Sequence, residues 1–181
     1  HRTDGLQWFP KLPLVNWRDN AEHYQHSQVA YNYRMSNILA GIGIGQMQLL
    51  ADRVNQRRAI FARYHAELSN IPGIRFQADL PGGHGTRWLT VIDIDPDHIA
   101  LHPYQFMRRL RAQGIETRPS WKPMHMQPLC EGMEFVPHTP DDYVAGGLFM
   151  RSLCLPSGSS MSAADQTRVI AAIRAIAQEA M

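Results

Sequence analysis

The strongest periodic pattern in the chain is a helical one over residues 36–69. Apolar residues recur in it at three- and four-residue steps with one double step, and arginines fall mostly between them. This spacing is typical of a helix with one apolar and one charged face, and its apolar members are Leu50, Val54, Phe61, Tyr64 and Leu68. Proline and glycine at 72–73 end it. Because globular helices are rarely this long, we predict a connector between two structural halves, with any kink near the glycines at 41–45.

The rest of the chain alternates short strand and helix patterns. Apolar runs predict strands at 74–77, 88–94, 115–118 and 153–155. Helices are predicted from Pro103 to the glycine at 114, over 143–150, and after the N-cap Ser162, which Asp165 follows at the third position. In that last helix the residues expected to face inward are Val169, Ile170, Ile173 and Ile176. This mixed order favours the α/β class in its α+β form, a small sheet packed with helices.

Composition narrows the function classes. The 181 residues are 44% hydrophobic and nearly balanced in charge, with 18 basic and 16 acidic side chains, so nothing favours a nucleic-acid partner. No apolar run reaches membrane-spanning length, and two cysteines are too few for a disulfide framework, which favours the cytoplasm. Residues 1–28 are expected to be irregular, with at most a strand near 12–15. The chain begins at His1, so we expect it to have been cut from something longer or to come from an incomplete gene.

Candidate chemistry first appears at the entrance of the long helix. Asn32 and Arg34 precede it, and a helix entrance offers unpaired N–H groups and the positive end of a dipole, which suits an anion such as a phosphate. The glycines at 41, 43 and 45 superficially resemble a dinucleotide-binding loop. Such a loop needs a preceding strand, whereas these glycines lie inside the helical pattern, so we expect a close helix contact instead.

The second candidate is the loop at 118–128. It brings Arg118, Trp121, Lys122 and His125 together among three prolines. Arginine and lysine are natural partners of phosphate oxygens, tryptophan can cover a base or sugar face, and histidine can donate to a hydroxyl. A solvated turn with the tryptophan packed in the core explains the same residues equally well.

Metal and thiol chemistry are not favoured by the remaining candidates. The histidine pairs at 23 and 26 and at 98 and 102 have helix-compatible spacing but no third ligand, so no metal site is predicted. Cys130 and Cys154 could pair with His125 as a base, but nothing in the sequence orients such a dyad. We interpret both as unreactive thiols.

Three motifs together carry a family resemblance: Tyr-Asn-Tyr-Arg at 31–34, Arg-Pro-Ser-Trp-Lys-Pro-Met-His at 118–125 and Leu-Cys-Leu-Pro-Ser-Gly-Ser at 153–159. As a set they resemble the DegT/DnrJ/EryC1/StrS sugar aminotransferases, most of all the branch acting on UDP-linked 4-keto sugars in polysaccharide and glycan synthesis. The similarity runs from about Asn20 onward, with Ala30 where the family usually has glycine. It implies the C-terminal part of a type I fold dependent on pyridoxal 5′-phosphate (PLP): 1–35 from the large domain, 36–70 as connector and 71–181 as small domain.

The resemblance also implies roles for individual residues. Asn32 would reach across a homodimer to the PLP phosphate of the neighbouring subunit, and Arg34 would point toward the nucleotide-sugar. The sugar-nucleotide pocket would be lined by Arg118, Ser120, Trp121, Lys122 and His125. The complete enzyme would move an amino group, with glutamate as the expected donor, to C4 of the sugar.

One departure from the family pattern decides what the chain can do alone. Transamination needs a lysine that binds PLP covalently and moves a proton, and in the family it precedes the Tyr-Asn-Tyr-Arg motif. The lysines here are Lys11 and Lys122, and neither has that setting, so we expect the chain to be inactive alone. Two alternatives stay open: a non-catalytic remnant that binds a nucleotide-sugar or dimerises with an intact paralogue, and a dehydratase in which histidine replaces the lysine.

Overall fold

The fold was derived from a computed structural model, which describes residues 25–27, 29, 32–139 and 143–181. The strand expected near 12–15, Lys11 and the histidine at 23 lie outside these residues. In chain order the helices and strands are α1 (Asn37–Met47), α2 (Leu50–Leu68), β1 (Ile74–Phe76), β2 (Thr90–Ile94), α3 (Pro103–Ala112), β3 (Arg118–Pro119), α4 (Val144–Arg151), β4 (Ser152–Leu155) and α5 (Ala163–Ala180).

The predicted long helix is two helices. Ser36 begins α1, its hydroxyl accepting a hydrogen bond from the Leu39 N–H at 3.3 Å. The chain leaves helical hydrogen bonding at Gln48 and Leu49 and then resumes as α2. The kink expected at the glycines was therefore misplaced. Within the described residues, nothing lies within 4 Å of where a side chain would begin at Gly41 or Gly45, so the expected close contact is not made there.

The four strands form one antiparallel sheet in the order β1-β2-β4-β3. The central pair is β2 and β4, in which Ile92 lies opposite Leu153. The strand predicted over 115–118 is shorter and later than expected, because only Arg118 and Pro119 pair with β4. Since Pro119 has no N–H to donate, an edge strand is where a proline is tolerated.

One face of the sheet is covered by α2, α3 and α5, and the core lies between them. Its largest fully buried side chains include Tyr64, Phe106, Leu110 and Ile173. Two polar groups are satisfied inside it: the Gln166 amide donates to the Ile60 carbonyl at 2.8 Å, and the Tyr64 hydroxyl donates to the Pro156 carbonyl at 2.9 Å. Burial raises the pKa of Tyr64, so its hydroxyl stays protonated and remains a donor.

The helix caps follow local signals. The Ser162 hydroxyl accepts from the Asp165 N–H at 3.1 Å, and the four inward residues predicted for this helix are all buried, so both predictions are confirmed. At the start of α3, the ring of His102 accepts from the Tyr104 N–H at 3.3 Å. His98 lies 3.6 Å from the Asp95 carboxylate. His98 and His102 thus each interact with a neighbouring residue of the chain, Asp95 and Tyr104 respectively.

Helix α1 buries none of its residues in this chain. Ile38, Ile42, Ile44 and Met47 are each more than half exposed. No helix among the described residues is long and apolar enough to cross a membrane. An apolar surface of this kind favours association between protein molecules.

We therefore expect the 181-residue chain to form dimers or larger species in size-exclusion chromatography with light scattering. Ile42→Asp should reduce this association, because it places a charge in the apolar surface of α1. Leu80→Asp, at a highly exposed residue distant in sequence, is the matched control and should not. A monodisperse monomer of the unaltered chain would contradict the prediction.

Candidate functional site

The loop after β3 is fastened to the segment that precedes α1. The buried Gln127 side chain accepts a hydrogen bond from the His26 N–H at 2.8 Å and donates to the Lys122 carbonyl at 3.3 Å. The Leu129 N–H donates to the His26 carbonyl at 3.3 Å. The Lys122 ammonium donates to the Gln25 side-chain oxygen at 3.3 Å. Three of these four hydrogen bonds join two segments that lie about 100 residues apart in the sequence, and the fourth, from Gln127 to Lys122, lies within the loop.

Within the loop, Met124–Met126 and Pro128–Cys130 form short 3₁₀ helices. His125 lies on the first of them and packs against the Phe135 ring, with ring centroids 4.1 Å apart. A side-chain carbon added at Gly146 of α4 would lie 3.8 Å from the His125 Nε2. His125 therefore lies beside α4, at a distance where a small side chain at Gly146 would make an ordinary van der Waals contact.

Ser120 places its hydroxyl inside the protein. Its Oγ is buried and has no hydrogen-bond partner among the described residues. A buried hydroxyl that lacks a partner costs about 1–3 kcal/mol, so Ser120 is a polar group at the strand end that a ligand atom could satisfy.

Trp121 does not pack in the core, so that interpretation of the loop is wrong. Its indole is 52% exposed and stacks on the indole of Trp88, which is 62% exposed. The ring centroids are 5.8 Å apart and the planes differ by 29°. Trp88 was predicted to begin a strand, but β2 begins only at Thr90, and the sequence reasoning did not propose Trp88 for the site.

Asn32 and Arg34 form a turn immediately before α1. Both are exposed, and the Arg34 N–H is shared between the backbone carbonyl and the side-chain oxygen of Asn32, the latter at 3.3 Å. Arg34 has a φ of +51°, a left-handed conformation that is uncommon for a residue with a side chain. These contacts are local, whereas Gln25 and His26, slightly earlier in the chain, contact the loop directly.

Arg118 forms an exposed ion pair with Glu116, with Nη2 at 2.5 Å and Nε at 3.1 Å from the same carboxylate oxygen. Both residues line a cleft of about 420 Å³ between the end of α3 and β3, together with Met107, Arg108, Arg111 and Thr117. The guanidinium of Arg118 thus lies at the sheet edge where the loop begins.

Cys154 is not available as a nucleophile. Cys154 is buried on β4, and its thiol lies 3.8 Å from the Pro119 carbonyl. Burial raises the pKa of Cys154 to about 11, so the thiol is protonated at neutral pH and is a poor nucleophile. Cys130 is half-buried. No group of three or more metal-ligating side chains occurs in the described part of the chain.

Comparisons with known proteins agree with this geometry. Residues 14–174 match the DegT/DnrJ/EryC1/StrS aminotransferase family. EpsN of Bacillus subtilis strain 168, named as a pyridoxal phosphate-dependent aminotransferase, is 46% identical over 153 residues, which are 84% of this chain and 39% of EpsN. A GDP-perosamine synthase of Vibrio cholerae is 34% identical over 110 residues, 61% of this chain and 29% of that protein.

The fold comparison also leads to an aminotransferase. The structure of the aminotransferase TlmJ from Streptoalloteichus hindustanus superposes with a TM-score of 0.66 and 27% sequence identity, over 80% of this chain and 37% of that one. The chain thus spans less than half the length of the relatives it matches. The family match over residues 14–174 and the shared mixed helical and antiparallel fold agree, and the chain belongs to the DegT/DnrJ/EryC1/StrS aminotransferase family.

Proposed function

We propose that this chain is the part of a PLP-dependent aminotransferase that holds a nucleotide-linked sugar. The complete enzyme would transfer an amino group, with glutamate as the expected donor, to C4 of a 4-keto sugar in polysaccharide or glycan biosynthesis. The observation that carries the proposal is the set of hydrogen bonds from Gln25 and His26 to the loop at 122–129. They support one site, because the segment held against the loop lies a few residues before the Tyr-Asn-Tyr-Arg motif.

The side chains of the loop suit the parts of such a substrate. Arg118 and Lys122 can donate to phosphate oxygens, and the Lys122 ammonium now donates to a neutral amide, which a phosphate would outcompete. The unsatisfied Ser120 hydroxyl and the His125 ring can form hydrogen bonds with sugar hydroxyls. Trp121 offers an exposed aromatic face, and Arg34 would extend the site from the turn before α1.

The cofactor fits this chain only in part. The exposed amide of Asn32, beside the N-terminus of α1, has the donor chemistry for the PLP phosphate, and we propose that it acts across a homodimer. PLP, when bound, supplies an electron sink for the substrate. Lys122 lies in the sugar loop and is engaged with Gln25, so it is not poised to bind PLP covalently.

The domain division follows from these roles. We propose that 1–35 contributes the cofactor-contacting segment, 36–70 the connector and 71–181 the small domain. The exposed apolar surface of α1 supports a subunit or large-domain contact by the connector. The lysine that binds PLP would then belong to another part of the complete protein, and this chain alone would not transaminate.

The test is covalent labelling of the purified 181-residue chain with near-stoichiometric PLP and borohydride, read by absorbance and peptide mass spectrometry. We expect no adduct concentrated at one lysine, and Lys122→Met should leave the labelling unchanged. A single fixed adduct at Lys122 that this variant abolishes would show that the chain contains the cofactor lysine. Labelling at Lys11 alone would contradict the proposal in the same way.

A further inference from the structure

Trp88 and Trp121 form a stacked, exposed aromatic pair at the end of the sheet that carries the 118–128 loop. The two indoles come from different segments, one before β2 and one after β3, and each is more than half exposed. Large aromatic side chains exposed as a pair are typical of recognition surfaces rather than of a solvated turn. A flat ligand group can add to such a stack on its outer face.

The segment that carries Trp88 is held in place. The Arg57 guanidinium of α2 donates to the Trp88 carbonyl and, at 3.2 Å, to the Ser157 carbonyl. The Ser157 hydroxyl accepts from the Thr90 N–H at 3.4 Å, and both Ser157 and Thr90 are buried. The Trp88 carbonyl and the Thr90 N–H are thus both held by hydrogen bonds, which fixes the backbone that carries the Trp88 indole beside Trp121.

Positive charge on α2 lies beside the Trp88 backbone. Arg57 donates to the two carbonyls, and Arg53, one turn earlier on α2, donates to the Ser159 hydroxyl at 2.9 Å. Neither guanidinium forms an ion pair with a carboxylate among the residues that the structure describes. An aromatic surface next to uncompensated arginines is the chemistry that recognises a planar base joined to phosphates.

We infer that Trp88 contacts the substrate: with Trp121 it forms an indole platform that stacks the base of the nucleotide, while Arg57 positions Trp88. The inference rests on the proposed function and deepens it, because it assigns the base of the nucleotide-sugar to a residue outside the loop motif. Arg53 would add charge for the phosphates. Stacking tolerates different bases, since every base offers a flat π-face.

The test is calorimetric titration of the 181-residue chain with UDP, GDP and dTDP, and with inorganic pyrophosphate as the ligand without a base. We expect the best nucleoside diphosphate to bind roughly tenfold or more tightly than pyrophosphate. Trp88→Ala should remove most of that advantage and leave pyrophosphate binding unchanged, whereas Trp88→Phe should keep much of it. Leu80→Ala, at an exposed apolar residue after β1, is the control and should bind like the unaltered chain.

A second measurement detects the stacking of the two indoles directly. Stacked indoles give an exciton signal in the far-ultraviolet circular dichroism spectrum, which Trp88→Phe should abolish without changing the helical signal. Absence of that signal in the unaltered chain would overturn the inference. Equal nucleotide binding by Trp88→Ala would also overturn it and leave the proposed function standing, because the nucleotide would still bind. Failure of the unaltered, folded chain to bind any of these ligands would overturn both.

Discussion

Phe106→Ala is expected to lower the free energy of unfolding by about 3–5 kcal/mol. Phe106 is fully buried on α3, in the core cluster that also contains Leu110 of the same helix. Removing the ring loses its transfer free energy and leaves a cavity, because the sheet and α5, which pack against α3, cannot close over it. Urea denaturation followed by circular dichroism measures the change.

Two control variants test whether the loss of stability comes from removing a buried side chain. Leu80→Ala removes an apolar side chain that is 81% exposed, and should change the free energy of unfolding by less than about 0.5 kcal/mol. Phe106→Leu retains most of the volume and should cost clearly less than the alanine variant. A loss below about 1 kcal/mol in Phe106→Ala would mean that α3 does not pack on the sheet as described.

Gly73→Ala is expected to cost about 2–4 kcal/mol of unfolding free energy, from backbone strain and overpacking together. Gly73 has a φ of +87° in the turn between α2 and β1. A side-chain carbon there would lie 2.7 Å from the His98 Cβ and 2.9 Å from the Ile99 Cγ1. The backbone cannot easily move away, because the Gly73 carbonyl accepts from the Asp95 N–H at 2.8 Å.

Gly82→Ala isolates the strain component. Gly82 has a similar φ of +74°, but nothing described lies within 4 Å of the position of an added carbon. It should therefore cost only about 1–2 kcal/mol, the penalty of the left-handed conformation. The difference in unfolding free energy between the two variants, measured by thermal and urea unfolding, gives the cost of the close contact at Gly73. Equal losses would show that the segment at 98–99 moves aside freely.

Elements with local signals were predictable from the sequence. Helix α5 has both its cap residue and its apolar period within one segment, so its start and its buried face were predicted correctly. The break between α1 and α2 could not be placed, because Gln48 and Leu49 are not residues that end helices. The shift of β3 toward Pro119 depends on pairing with β4, which is distant in the sequence.

The contrast between local signals and partners distant in the sequence also explains which candidate site residues could be predicted. The residues of the loop at 118–128 were predicted because they crowd into one short segment, and their substrate roles remain predictions. The residues that hold the loop were missed. Gln25 lies 97 residues from its partner Lys122, and His26 lies 101 residues from its partner Gln127. Trp88 did have one signal, a large aromatic at the start of the best strand pattern, but only the fold shows that it stacks on Trp121.

The packing of α2 on α5 determines when the core can close during synthesis. The contacts between them, such as Gln166 with the Ile60 carbonyl and Arg174 with Glu67, join residues 106 and 107 positions apart. At translation rates of about 5–20 residues per second, α2 is synthesised roughly 5–20 s before its partner helix α5. During that interval the apolar face around Tyr64 and Leu68 is available to chaperones and to neighbouring nascent chains, so this unit folds late.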